Sequence, residues 1–330
     1  MIGPLAVALG DPAGIGPEIA AKAWERRATE AVPAFFAVGA PEAVRAVWGG
    51  PLEVVAGPDE AARCFGQALP VIRIDAAGRT EPGRPTLEGA RNSLDALELA
   101  VGLTRSGASS ALVTGPVSKA QLYAIGFTHP GQTEFVAERC GIAAEMVAMM
   151  LAGPTLRTVP VTTHVRLRDV PDLLTTELIV ARGRTTIRAL RRLFGIARPR
   201  LAVAGLNPHA GERGALGREE IDVVQPAIER LREEEAEVTG PHAPDTMFHP
   251  RMRATYDAAL CLYHDQALVP LKTLHFDEGV NITLGLPLVR TSPDHGTAYA
   301  LAGQGRALPD AMIAALKMAA DCAERAAAAP

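Results

Sequence analysis

The sequence predicts an α/β fold with a largely parallel sheet. Two observations carry that prediction. Short apolar runs alternate with longer segments of helical periodicity along the 330 residues, the order expected of βαβ units. Most of the runs are also apolar throughout rather than alternating, which suits strands covered by helices on both faces.

The strand segments are Pro4–Gly10, Ala34–Gly39, Leu52–Ala56, Val71–Ile74, Ala111–Thr114, Val147–Leu151, Thr158–Thr162, Arg200–Gly205 and Ala258–Leu262. Leu87–Thr104 repeats apolar residues at helical spacing and is the clearest long helix of the first half; Thr175–Leu193 and Glu219–Glu237 follow the same pattern. Glycine and proline mark two places where the chain can cross between subdomains, 107–110 and 240–244. Neither is a proper linker, and the whole of 1–330 is otherwise expected to be one unit.

Composition narrows the function. The net charge of −4 argues against a broad nucleic-acid-binding surface. An anionic ligand would need a local basic pocket instead. Cys64, Cys140, Cys261 and Cys322 are far apart, which speaks for reduced, mostly buried thiols rather than a disulfide framework. Asp11 follows the first apolar run where a signal peptide would have a cleavage site, and no uninterrupted stretch reaches membrane-spanning length. A cytoplasmic protein is expected. The acidic run Glu233–Glu235 and the basic positions Arg191, Arg192, Arg198 and Arg200 are expected to be solvated faces, and Ala326–Ala329 a fraying end.

Three histidines lie at or just past the ends of strand segments: His164 after Val161-Thr-Thr, His209 within Leu206-Asn-Pro-His-Ala-Gly, and His264 within Leu262-Tyr-His-Asp-Gln. Ligands gather at the carboxyl ends of parallel strands. Three imidazoles meeting there would form an open metal site. Spacing alone favours hydrogen-bonded loop histidines over a metal site, since no two share a motif. Lys272 and Arg290 flank Gly279-Val-Asn-Ile-Thr-Leu-Gly-Leu-Pro and offer a point charge and a planar fork for phosphate or carboxylate. Gly10-Asp-Pro-Ala-Gly-Ile-Gly-Pro-Glu opens a helix after the first strand. It is either an anion cradle or a tight strand-to-helix turn, and its two prolines weaken the first reading. Ser118 and Thr133 are candidate helix caps.

Together these segments resemble the 4-hydroxythreonine-4-phosphate dehydrogenase family of pyridoxal-phosphate biosynthesis. The resemblance runs from Gly10 to about Gly305. It includes Val113-Thr-Gly-Pro-Val-Ser-Lys, Val161-Thr-Thr-His, Gly205-Leu-Asn-Pro-His-Ala-Gly-Glu, Tyr263-His-Asp-Gln, Arg290-Thr-Ser and Asp294-His-Gly-Thr-Ala. It implies an isocitrate/isopropylmalate dehydrogenase-like arrangement: two α/β subdomains, an interdomain cleft and largely parallel sheets.

The resemblance also implies a division of labour. His164, His209 and His264 would ligate one divalent metal per subunit, zinc, magnesium or cobalt. Gln132, Thr133, Lys272, Asn281 and Arg290 would bind substrate, and Gly285, Leu286, Asp294 and His295 would contact NAD or NADP. A homodimer is implied, with the site at the subunit interface, so that one metal ligand can come from the partner. Asp245, Asp265 and Lys272 are the candidates for proton transfer or for orienting the metal ligands.

Two positions depart from the family pattern. Gln132 stands where histidine is usual; glutamine can hydrogen-bond but carries no charge. Ala300 stands where an acidic residue is common, and an acid there reads the ribose 2′-hydroxyl and rejects a 2′-phosphate. The NAD preference is therefore expected to be loosened. Competing readings are a paralogous dehydrogenase for another phosphorylated hydroxy acid or a cis-dihydrodiol, and a phosphotransacetylase-like transferase.

Overall fold

The computed structural model describes residues 2–75, 78, 80–233 and 236–328. Glu234 and Glu235 of the acidic run and Ala329 of the tail lie outside the described residues. The chain divides into two compact units, Met1–Gly141 with Pro287–Ala327, and Ile142–Leu286 with Ala328–Pro330.

In the first unit, strands β1 (Leu5–Ala8), β2 (Phe35–Gly39), β3 (Leu52–Val55), β4 (Leu69–Arg73), β5 (Leu112–Thr114) and β12 (Arg290–Pro293) lie in the order β3-β4-β2-β1-β5-β12. Every pairing between them is parallel. The central strands β1, β2 and β5 are buried along their whole length, as their unbroken apolar runs require. The edge strand β3 is largely open. The Leu87–Arg105 helix starts where Thr86 Oγ1 accepts from Gly89 N–H, at 3.0 Å, a side-chain cap for an otherwise orphaned donor.

The second unit orders β11 (Val280–Leu284), β6 (Ala148–Gly153), β7 (Leu156–Pro160), β10 (Ala258–Cys261), β8 (Arg200–Ala204) and β9 (Glu237–His242) in that sequence. From β7 onward the pairings are parallel, whereas β11-β6 and β6-β7 are antiparallel. Beside this sheet runs the Thr176–Phe194 helix. Thr175 Oγ1 caps its start, and Gly195, in the left-handed region at φ 67°, ends it.

The structure corrects three sequence expectations. The predicted helix over Glu219–Glu237 stops at Arg232, and Glu237 opens β9. β9, β11 and β12 had no predicted strand. The units divide at 141/142 and 286/287 rather than at 107–110 and 240–244. Gly107 turns the chain between the Leu87–Arg105 helix and β5. Gly240 lies within β9, where a Cβ would stand 2.4 Å from the Val203 carbonyl. Glycine here serves close packing rather than a linker.

Candidate active site

In the second unit the carboxyl ends of β7, β10 and β8 are neighbours on one edge of the sheet. Each leads into one of the three histidines. β7 and β10 stay paired beyond their formal ends: Val161 N–H donates to Cys261 O at 2.7 Å, and Thr162 Oγ1 donates to Leu262 O at 2.8 Å. His164 and His264 therefore leave the sheet side by side. Their ring centroids are 5.6 Å apart. They share a cleft of about 300 Å³ with Val165, Leu167, Tyr263 and Asp265. His264 Nδ1 pairs with Asp265 Oδ1 at 2.7 Å. That bond orients the ring and leaves Nε2 as the nitrogen able to meet a metal ion.

His209 does not join this pair. It lines a separate cleft of about 380 Å³ with Asn207, Pro208, Pro244, Asp245 and Tyr263. Tyr263 walls both clefts. Among the described residues no group of three histidine, cysteine or acidic side chains stands close enough to hold a metal ion. The described residues of one chain thus form no three-imidazole centre, and His209 leaves β8 through a turn of its own.

That turn is left-handed. His209, Ala210, Gly211, Glu212 and Arg213 all have positive φ, from 44° to 78°. Left-handed helical backbone costs roughly 1–2 kcal/mol for each non-glycine residue, so neighbouring groups must hold it. Glu220 does so. Its buried Oε1 accepts from Leu206 N–H at 2.8 Å and Asn207 N–H at 2.7 Å, and its Oε2 accepts from Asn207 Nδ2 at 3.0 Å. Gln266 adds a second brace. Its Oε1 accepts from Leu262 N–H at 2.6 Å and its Nε2 donates to Gly205 O at 2.8 Å, so it joins the ends of β10 and β8.

The first unit carries an anion-competent cluster. Arg290 opens β12 and is 5% exposed. Its Nη2 donates to Thr114 Oγ1 at 2.6 Å and to Gln132 Oε1 at 2.9 Å, while Nη1 donates to Thr133 Oγ1 at 3.3 Å. These acceptors are neutral. Burial pulls the guanidinium down to about 10, against a smaller opposing pull from Glu134, and it stays charged at neutral pH. A buried cation that neutral oxygens solvate favours an anionic ligand. Gln132 is engaged at both ends, since its Nε2 donates to Gly115 O at 3.2 Å. Thr133 sits inside the Gln132–Arg139 helix and bonds Arg290 instead of capping that helix; Ser118 does cap its own helix, accepting from Gln121 N–H.

The remaining predicted residues are scattered over both units. Lys272 lies eight residues into the His264–Leu274 helix, about 12 Å along its axis from His264. Asn281 is on β11 with Oδ1 buried and without a hydrogen-bond partner. Asp245 and Asp265 are both exposed. Gly285 is required by packing: its φ is 88° and a Cβ would stand 2.3 Å from Met146 O. Leu286 is buried and its carbonyl accepts from Arg192 at 3.0 Å. Neither needs a cofactor to explain it.

Asp294 and His295 open a loop that the Gly10–Gly16 turn grips. Asp11, 1% exposed, accepts at Oδ2 from Tyr299 OH at 2.5 Å and at Oδ1 from Ala13 N–H at 3.0 Å. Ile15 N–H donates to Thr297 O at 3.0 Å. Lys22 Nζ reaches Gly305 O and Ala307 O, at 2.9 and 2.7 Å. The N–H groups that an anion would use are thus spent on the protein, and this motif is a structural turn. His295 Nε2 is buried with no partner.

Sequence reasoning passed over Asn207, Glu220 and Gln266. Their signal was present: Gln266 closes the Tyr-His-Asp-Gln motif, and Glu219-Glu220 is a charged pair opening an apolar helix.

An α/β enzyme is the class this fold and its clustered polar side chains define. The model of the pyridoxal phosphate biosynthetic protein PdxA matches residues 31–319, and the chain belongs to that family. A 4-hydroxythreonine-4-phosphate dehydrogenase of Zymomonas mobilis is 58% identical over 97% of this chain and 96% of its own. The crystal structure of the Klebsiella pneumoniae enzyme of that name has a TM-score of 0.88 at 37% identity, covering 98% of both chains. A terephthalate 1,2-cis-dihydrodiol dehydrogenase from Burkholderia xenovorans is more distant, with a TM-score of 0.65 at 27% identity over 97% of this chain and 98% of its own.

Proposed function

We infer that this chain oxidises 4-hydroxythreonine 4-phosphate with NAD or NADP, and that the oxidised product loses carbon dioxide to give 3-amino-2-oxopropyl phosphate in pyridoxal 5′-phosphate biosynthesis. The observation that carries this reading is the His164–His264 pair in a cleft at the carboxyl edge of a parallel sheet, in a chain of the PdxA family.

The pair fits a metal as an incomplete set. Two imidazoles lie together, one with its second nitrogen held by a carboxylate, and catalytic zinc sites commonly take three protein ligands. His209 of the partner subunit supplies the third in a homodimer. Exposed apolar side chains support such an interface, since Val165 and Leu167 line the His164 cleft and Leu173, Leu216 and Ile221 are exposed as well. A divalent zinc, magnesium or cobalt ion contributes Lewis acidity toward the substrate hydroxyl and toward the oxygen that gains charge on decarboxylation. NAD or NADP accepts the hydride.

The protein's own groups do the rest. Arg290, held by Thr114, Gln132 and Thr133, takes an anionic group of the substrate. Asn281 Oδ1 accepts a hydrogen bond from the substrate's amino or hydroxyl group, and Lys272 adds a second positive charge. Asp265 keeps His264 in the ligating tautomer. Asp245 lines the same cleft as His209 and so enters the site together with it from the partner subunit; it is the candidate to receive the hydroxyl proton. His295 Nε2 and Asp294 contact the nucleotide.

The test is absorbance of the reduced nicotinamide with purified protein, metal and 4-hydroxythreonine 4-phosphate, against a terephthalate dihydrodiol control. Turnover of the phosphorylated substrate alone is expected. Turnover of only the dihydrodiol would overturn the reading.

A further inference from the structure

We propose that Glu220 is a positioning residue for His209: its buried carboxylate fixes the left-handed turn that presents the imidazole, and through that turn it sets the affinity for metal. The proposal rests on the role given to His209 above. Four observations carry it. Glu220 is 3% exposed, and its two oxygens are filled by Leu206 N–H, Asn207 N–H and Asn207 Nδ2. These groups fix the chain immediately before His209. Gly211, inside the turn, packs so tightly that a Cβ there would stand 2.5 Å from Glu220 Oε2. The Glu220–Val224 segment is a π-helical turn, the widening often found at functional positions. It allows the consecutive Glu219 and Glu220 both to reach Asn207 Nδ2, at 2.8 and 3.0 Å.

The experiment compares full-length wild type with Glu220→Gln, Asn207→Ala, His209→Ala and Ile187→Val. The last trims a buried side chain of the same unit that makes no hydrogen bond to the turn. Two readouts are taken: Zn²⁺ affinity by chelator competition, and amide exchange of the 206–213 peptide by mass spectrometry. Glu220→Gln is expected to weaken Zn²⁺ binding at least tenfold, as loss of a group behind a metal ligand does, and to speed exchange in 206–213. Asn207→Ala, on an accessible loop, moves the same way if Glu220→Gln fails to fold. Ile187→Val should change neither. If His209→Ala loses Zn²⁺ while Glu220→Gln and Asn207→Ala both hold it like wild type, the positioning role is wrong. If His209→Ala itself binds Zn²⁺ normally, the error lies in the ligand assignment instead.

Discussion

Arg290 shows how a single buried charge points to function. Three neutral oxygens accept from its guanidinium and Glu134 acts on it more weakly than burial does, so an arriving anion would gain from the charge. Arg290→Lys keeps the charge but loses the fork that reaches Thr114, Gln132 and Thr133 together. KM for the phosphorylated substrate is expected to rise about 10- to 100-fold, the worth of one or two charge-assisted bonds, with a smaller effect on kcat in steady-state assays. Gln132→Leu isolates the amide bridge between Arg290 and Gly115. It should reproduce part of the KM effect, and an unchanged KM would show that the bridge does not set the arginine. The sequence could nominate Arg290 because the family motif runs through it. It could not reveal the acceptors, since all three are distant from Arg290 in the chain: the β5–β12 pairing brings Thr114 beside it, and Gln132 and Thr133 come from the start of the Gln132–Arg139 helix.

At the level of elements, the strands that were legible are those whose burial leaves an apolar record. β1, β2, β5 and β10 are buried at every residue. The three that escaped have reasons to be polar. β9 is an edge strand with one buried residue, and its Gly-Pro resembles a turn. β11 alternates Asn281 and Thr283 with aliphatic residues in a segment noticed for its cations instead. β12 is buried yet reads Arg-Thr-Ser-Pro, because Arg290 faces a polar cluster and Thr291 Oγ1 donates to Ala315 O at 2.9 Å. The histidines were legible as strand-end residues, but the direction of the turn after β8 was not, since it depends on Glu220 and Gln266 from later helices. Gln266→Leu tests this bracing. It leaves Leu262 N–H and Gly205 O unpaired, and urea denaturation should report a loss of about 1–3 kcal/mol for each group.

For the whole molecule, the incomplete histidine set makes a strong prediction. His209→Ala and His264→Ala should each lose bound metal and nearly all turnover while staying folded. Refolded as a mixture, they should recover about a quarter of wild-type activity, because half the dimers are mixed and each holds one intact site under two-fold symmetry. No recovery would place all three ligands in one chain. A further prediction concerns Ala300, whose small exposed side chain offers no carboxylate to a ribose 2′-hydroxyl. The kcat/KM ratio for NAD over NADP should fall to within about tenfold, and a strong NAD preference would defeat it.

The grip of Asp11 on Tyr299 bears on how a dinucleotide would be received. Burial, with help from the Asp11 carboxylate, pushes the Tyr299 phenol up to about 12, so its proton stays on the shared bond across the physiological range. A segment fastened in advance surrenders little freedom when a guest docks. Tyr299→Phe should therefore leave calorimetric enthalpy nearly intact while making the association entropy more unfavourable, by about 1 kcal/mol at room temperature.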